Sequence, residues 1–304
     1  MTESNNIEDI CKILEDAGYG SEGDAISVRS YEQKLKEKEG EIFEEIEELS
    51  RDDRVFDIFR YPKDYHNIKV LLKAEALGED RSDLLIGSGT IPIPELTRFV
   101  NERDRLRLTD NMYKAVTEAV DHHARTNDPQ AIDFICDKYC YEDINKVASE
   151  SGSDFVKGYV ALTIDIINLN TFFRVRKMGR QWPYFAGLFT RGGNVGEHIF
   201  ESAFASDIKQ AAEEFAPYSI GEAAAEGGEA IEKEGTFTLL EKLCDDAIMA
   251  YVREAKFITF GIEAMVAYLV SRQMEIKSIR ILMTGKTAKM KPEDISGRMR
   301  RTYE

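Results

Sequence analysis

Four fragments of this 304-residue chain carry residue types that could do chemistry. Thr284-Gly285-Lys286-Thr287 has the ending of a phosphate-binding loop, in which backbone N–H groups and a lysine hold the phosphates. That loop needs a glycine five residues ahead of Gly285, but Arg280 stands there and no strand precedes it. Gly192-Gly193-Asn194 lacks the rest of a dinucleotide fingerprint and reads as a turn. Cys136 and Cys140 can share a helix face, yet two thiols without a further Cys/His pair make a poor metal site. His122 and His123 are adjacent, so on a helix they point about 100° apart and do not converge on one ion. With four histidines, no serine elbow and no His-Glu-x-x-His, neither a triad nor a metal hydrolase can be assembled. Carboxylates are abundant, but they lie among lysines, where solvation and i,i+4 pairing explain them. The expectation is a non-enzyme with no cofactor, no metal and no nucleotide of its own.

The elements that hold these fragments read as helices. Only 7 prolines and 21 glycines interrupt long Lys/Glu/Leu/Ala stretches. One helix is expected over roughly 30–50, with Tyr31, Leu35, Ile42, Phe43, Ile46 and Leu49 on one stripe. A second is expected from near Pro62 and Asp64 to Gly78, followed by a loop from Gly87 to Pro94 and a helix from Glu95. Ala223–Gly235, rich in glycine and acid, is expected to be a mobile loop. The longest apolar run, Phe257 to Val270, is interrupted by Glu263, is too short to span a bilayer, and fits a buried helix. The acidic start, MTESNNIEDI, has no apolar core of a secretory signal. The four cysteines read as reduced thiols.

Net charge is −16, which disfavours nucleic acid and anionic lipid as partners. The charge is uneven. Lys277 to Arg301 holds eight basic and two acidic residues, and Glu201 to Asp246 holds twelve acidic and three basic. Such a dipolar surface suits docking to protein partners of defined polarity.

An internal repeat organises the chain. Asp64, Asn67, Ile68, Leu71, Leu72 and Lys73, then Gly78, recur at the same spacing as Asp165, Asn168, Leu169, Phe172, Phe173 and Arg174, then Gly179. Gly89-Thr90-Ile91 with Leu96 matches Gly193-Asn194-Val195 with Phe200. A third copy reads Arg272, Glu275, Ile276, Lys277, Ile279 and Arg280, then Gly285, and Asp133 to Asp137 matches Glu241 to Asp245. The i, i+3, i+4 apolar set buries one face of each motif helix and leaves a polar edge of fixed chemistry. The Asp sits one turn ahead of the Asn, near a helix N-terminus or partnering it. Three domains follow, over 1–104, 105–208 and 209–304.

Tyr65-His66-Asn67-Ile68-Lys69-Val70-Leu71-Leu72-Lys73, Asp165 to Arg174, Glu275 to Arg280, and the ending Ile295-Ser296-Gly297-Arg298-Met299-Arg300-Arg301 with Tyr303 resemble the C-subunit family of archaeal and bacterial V-type (A-type) ATPases, related to the d subunit of the vacuolar enzyme. The resemblance spans essentially the whole chain, although the approach to the first repeat looks shorter than usual. It implies an all-α fold, three similar helical subdomains around a pseudo-threefold axis in a funnel. It implies a non-catalytic central-stalk connector, one copy within a hetero-oligomeric complex, coupling the shaft made by the D and F subunits to the membrane rotor ring. Such a protein would be cytoplasmic and peripheral to the membrane through the ring. The alternative is a helical-repeat scaffold unrelated to ATPases. Asn67, Lys69, Lys73, Asn168, Arg174, Lys277, Arg280, Arg298 and Arg301 are the candidates for partner contact or subdomain joints. The competing placement is that Asp64–Asn67 and Asp165–Asn168 only fix helix packing within each subdomain.

Overall fold

The computed structural model describes residues 7–19, 26–50, 54–103, 105, 108–258 and 260–303. The first six residues, and residue 104 at the end of the first expected repeat, lie outside them. Every regular element among the described residues is helical. The α-helices are α1 (Ile7–Asp16), α2 (Tyr31–Ser50), α3 (Asp57–Leu77), α4 (Ile93–Glu102), α5 (Asp110–Thr126), α6 (Gln130–Glu150), α7 (Asp154–Lys177), α8 (Trp182–Ala186), α9 (Glu197–Ala205), α10 (Ile208–Phe215), α11 (Gly228–Glu234), α12 (Thr238–Val252), α13 (Ile262–Thr287) and α14 (Pro292–Arg298).

The chain forms two compact units, one of residues 53–200 and one of residues 1–52 with 201–304. This is a division by contacts, whereas the three expected domains are a division by sequence register.

In the first unit, α6 packs against α3, α5 and α7. Thr109 caps α5 by accepting from Met112 N–H, and Ser153 caps α7 by accepting from Val156 N–H. α3 begins at Asp57, earlier than expected, because a 3₁₀ turn over Arg54–Phe56 leads into it. Pro62 therefore lies inside the helix, where its missing N–H costs one helical bond. Gly78 ends α3 in the left-handed region, at φ 67°, and Gly179 takes the same φ after α7. Ile68 and Leu72 are buried and Leu71 is half-buried; Leu169, Phe172 and Phe173 are all buried. Around them Phe172, Phe185 and Phe200 pack edge-on or tilted, with centroids 5.4–6.0 Å apart.

In the second unit, α13 is the central helix and packs against α1, α2, α12 and α14. The apolar stripe of α2 buries Leu35, Ile42, Phe43 and Ile46, but Leu49 is exposed: the stripe ends one turn before the helix does. The expected loop Ala223–Gly235 is not a loop. Ala223–Gly227 forms a π-turn that runs into α11, with Ala223, Ala224, Gly227, Gly228, Ala230 and Ile231 buried. Its small residues serve close packing: a Cβ on Gly227 would lie 2.7 Å from Leu240 Cα. The apolar run from Phe257 is likewise only partly a buried helix. α13 starts at Ile262, and Phe257 and Phe260 precede it exposed. Gly285 departs from Gly78 and Gly179. It lies inside α13, where a Cβ would meet Ile295 Cγ1 of α14 at 2.8 Å, and the helix runs on to Thr287. No described helix is long and apolar enough to cross a membrane.

Two glycine substitutions should move in opposite directions. Gly227→Ala is expected to destabilise the protein by about 1–3 kcal/mol through overpacking, despite alanine's better helix propensity. Gly40→Ala, in α2 with open space around its Cβ, is expected to stabilise by about 0.5–1 kcal/mol. Urea denaturation of both variants reads the contrast.

Candidate functional site

Asp64 and Asp165 lie in the middle of α3 and α7, not at their N-termini, and neither partners its Asn. Each reaches out to the loop that follows its helix. Asp64 accepts from Thr90 N–H at 2.8 Å, Thr90 Oγ1–H at 2.6 Å and Ile91 N–H at 3.3 Å. Asp165 accepts from Asn194 N–H at 3.1 Å, Asn194 Nδ2–H at 3.0 Å and Val195 N–H at 2.9 Å. One turn on, Asn67 donates to Ile86 O and accepts from Ile86 N–H, both at 2.8 Å. Asn168 does the same with Thr190, at 2.7 and 2.9 Å. Gly89 and Gly193 complete the clasp, because a Cβ on either would overlap the aspartate carboxylate. Desolvation pushes both aspartate carboxyls above the ordinary carboxylate value, and the loop donors pull against it. Asn67 and Asn168 are fully buried, with both ends of their amides occupied by the loop, so neither is on a surface.

The cations of the polar edge do different work. Lys69 Nζ meets Asp137 at 2.7 Å and Lys73 Nζ meets Asp133 at 2.7 and 2.8 Å, both on α6. Burial alone would lower the Lys69 ammonium, but Asp137 outweighs it and holds it above the usual lysine value. In the other unit Arg280 of α13 forms a bidentate pair with Glu32 of α2, Nε to both oxygens at 3.0 Å. These two seams correspond. Lys73 and Arg280 each stand five residues before the glycine of their copy, and Asp133 and Glu32 stand at one distance ahead of Asp165 and Asp64. Both acids belong to the α-helix just before the motif helix of their own copy, and both pair with the motif helix of another.

The remaining candidates sit around α13 and α7. Lys277, Arg280 and Arg298 share the wall of a cavity of about 570 Å³ with Thr238, Glu241 and Ile281. Arg174 lines a cavity of about 460 Å³ in the other unit with Gln130, Asp133, Thr171 and Val175. In the repeat register Gln130, Asp133, Thr171, Arg174 and Val175 of one wall stand where Thr238, Glu241, Lys277, Arg280 and Ile281 stand in the other, whereas Arg298 has no counterpart. Arg301 is exposed at its side chain, but its N–H donates to Asp246 Oδ1 at 2.7 Å. The nine candidates thus divide among two clasps, two seams, two cavity walls and a tail, and do not converge on one site.

Several residues that matter were not among the candidates. Asp143, buried in α6, accepts from Tyr65 at 2.8 Å, Thr109 at 2.6 Å and Asn111 at 2.9 Å, and so ties α3 and the start of α5 to α6. Asp245 takes Lys277 at 2.7 Å and the buried Arg300 at 2.7 Å, which fastens the C-terminal tail. Their signal was present: Cys136, Cys140, Asp143 and Val147 fall on one stripe, and an acid on an otherwise apolar stripe needs partners. Burial pushes the Cys136 thiol up to about 12, so it is inert packing. Thr284–Thr287 lies in the last turn of α13, where the backbone has no phosphate-cradling conformation.

The family model described as "ATP synthase (C/AC39) subunit" matches residues 1–298. This chain belongs to that family. The C subunit of the V-type sodium ATPase of Enterococcus hirae is 21% identical, over 100% of this chain and 92% of that protein. The C subunit of the A-type ATP synthase of Methanocaldococcus jannaschii is 25% identical, over 97% of this chain and 79% of its own length. That of Halorubrum lacusprofundi is 20% identical, over 96% and 88%. The C/AC39 chain is therefore a rotary-ATPase type of subunit, and the alternative of a scaffold from outside the ATPases falls away.

Clasp integrity can be tested directly. Gly89→Ala and Gly193→Ala are each expected to cost about 1–3 kcal/mol, read by urea denaturation. Because the folded aspartate values are raised, their contribution to stability is complete below the unfolded value and fades as pH rises through the folded one. The loss caused by Asp64→Asn should accordingly be larger near pH 4 than at pH 7.

Proposed function

We propose that this member of the C/AC39 family is the non-catalytic connector of the central stalk. On this reading it is a single copy that joins the D–F shaft to the membrane rotor ring and couples rotation to ion transport or ATP synthesis. It works on the cytoplasmic side and meets the membrane only through the ring. The observation that carries the reading is the match along the whole chain to C subunits of similar length. The geometry supports it, because a part that passes torque must resist bending, and close-packed helices with clasped loops do so. The three-copy organisation over 1–104, 105–208 and 209–304 belongs to the same proposal. Within it Lys69, Lys73 and Arg280 are joint residues, and the cavity rim of Lys277 and Arg298 faces a partner.

The test is capture of the purified chain by the D–F shaft and by detergent-solubilised ring. Both should bind; if neither does, the connector reading fails. Lys73→Asp is expected to weaken shaft capture through the seam, and adding Asp133→Lys should restore it. No restoration would mean that Lys73 touches the partner itself.

A further inference from the structure

Tyr19, in the second unit, is only 1% exposed, and its hydroxyl makes no hydrogen bond among the described residues. A buried phenol is ordinarily given a partner. The residue is held firmly. Just past α1, Tyr19 N–H donates to Leu14 O and Gly18 N–H to Glu15 O, both at 2.9 Å, and Gly18 takes φ 79°. Arg272 lies over the Tyr19 ring at 5.8 Å, and its Nε is a second buried donor without an acceptor. The neighbouring carboxylate, Glu275, is engaged by Nη1 of the same guanidinium. Donors are thus in excess of acceptors at this spot.

Tyr19 lies in the wall of a cavity of about 530 Å³. One water would answer the hydroxyl and take up about 30 Å³. The remaining space is that of a small-molecule site, which runs to about 300–1,000 Å³. Its apolar wall is Leu14 of α1, Met249 of α12, Met274, Ile279 and Leu282 of α13, and Met299 of the C-terminal tail. Three of these are methionines, whose unbranched side chains adapt to the shape of a guest. Each charge on the wall is already matched. Glu275 has Arg272, Arg300 Nε donates to Asp245 at 2.7 Å, and the Arg301 guanidinium lies 3.7 Å from Asp246. A charged guest would bring an uncompensated charge out of water. Burial, and then the charge of Glu275, hold the Tyr19 phenol above the usual tyrosine value, so at neutral pH it is a donor.

We propose that this cavity binds a neutral, chiefly apolar small molecule through one accepting oxygen, a carbonyl or ether, which takes the hydroxyl hydrogen of Tyr19. Such a guest touches α1, α12, α13 and the tail together, and so fastens α1 and residues 299–303 onto α13. The site stands apart from the connector reading and does not depend on it.

The test sets benzophenone, an uncharged aromatic ketone, against diphenylmethane, the same two rings without the oxygen. Equilibrium dialysis with the full chain reads both. Wild type should take up one equivalent of the ketone about fivefold more tightly than the hydrocarbon. Tyr19→Phe should bind the two equally and keep its urea midpoint, because it removes a hydroxyl that has no partner in the protein. Near-ultraviolet light joins the carbonyl carbon of bound benzophenone to a nearby C–H bond. Peptide mapping should then find the label on Met249, Met274 or Met299. No saturable uptake of the ketone by wild type overturns the site and leaves water as the partner of the hydroxyl. Equal affinity of wild type for ketone and hydrocarbon overturns the role of Tyr19, and with it the proposal. A label confined to other parts of the chain overturns the placement. None of these outcomes bears on capture by the shaft or the ring.

Discussion

A carboxylate in the middle of a buried helix face must be given donors, and this requirement shapes the repeat. Asp64 and Asp165 have no solvent, so backbone N–H groups must come to them. Only the loop after the helix can supply those groups, and it can approach only where a residue has no Cβ. That places Gly89 and Gly193. The Asn one turn on then receives the loop's earlier stretch of backbone, and the left-handed glycine at the helix end starts the return. Acid, amide and two glycines are one device, which is why they recur together.

The third copy shows what happens when the device is not used. Counted back from Gly285, Ser271 and Met274 stand where the Asp and Asn would be. Their neighbours Arg272 and Glu275 pair with each other along α13. In place of a following loop, the face of α13 is covered by the chain's own ends. Arg272 lies over Tyr19, just after α1, at 5.8 Å. The C-terminal tail is held at Asp245 and Asp246. The N-terminal 52 residues join the C-terminal part in one compact unit.

The sequence made the helices, the motif spacing and the paired glycines legible, because these are local or exactly periodic properties. The family, too, was readable from the ordered set of motifs. What it hid was long-range. Nothing near Asp143 names Tyr65 and Thr109 as its partners, and nothing near Arg300 names Asp245. Ala223–Gly235 was misread because glycine and alanine serve two opposite purposes. In water they loosen a chain, and against Leu240 they let two backbones touch. The split of the polar edge was equally invisible, since Asn67 and Lys69 are two residues apart yet one is sealed inside a clasp and the other spans a seam.

The seam between α3 and α6 is antiparallel, with cations four apart on one helix and acids four apart on the other. Matched spacing of this kind is a rack rather than a lock. A slide of one helical turn, about 5.4 Å, breaks both pairs but lets one cation meet the neighbouring acid. The displaced position is therefore only half-satisfied, so it takes both pairs together to specify one register of α3 on α6.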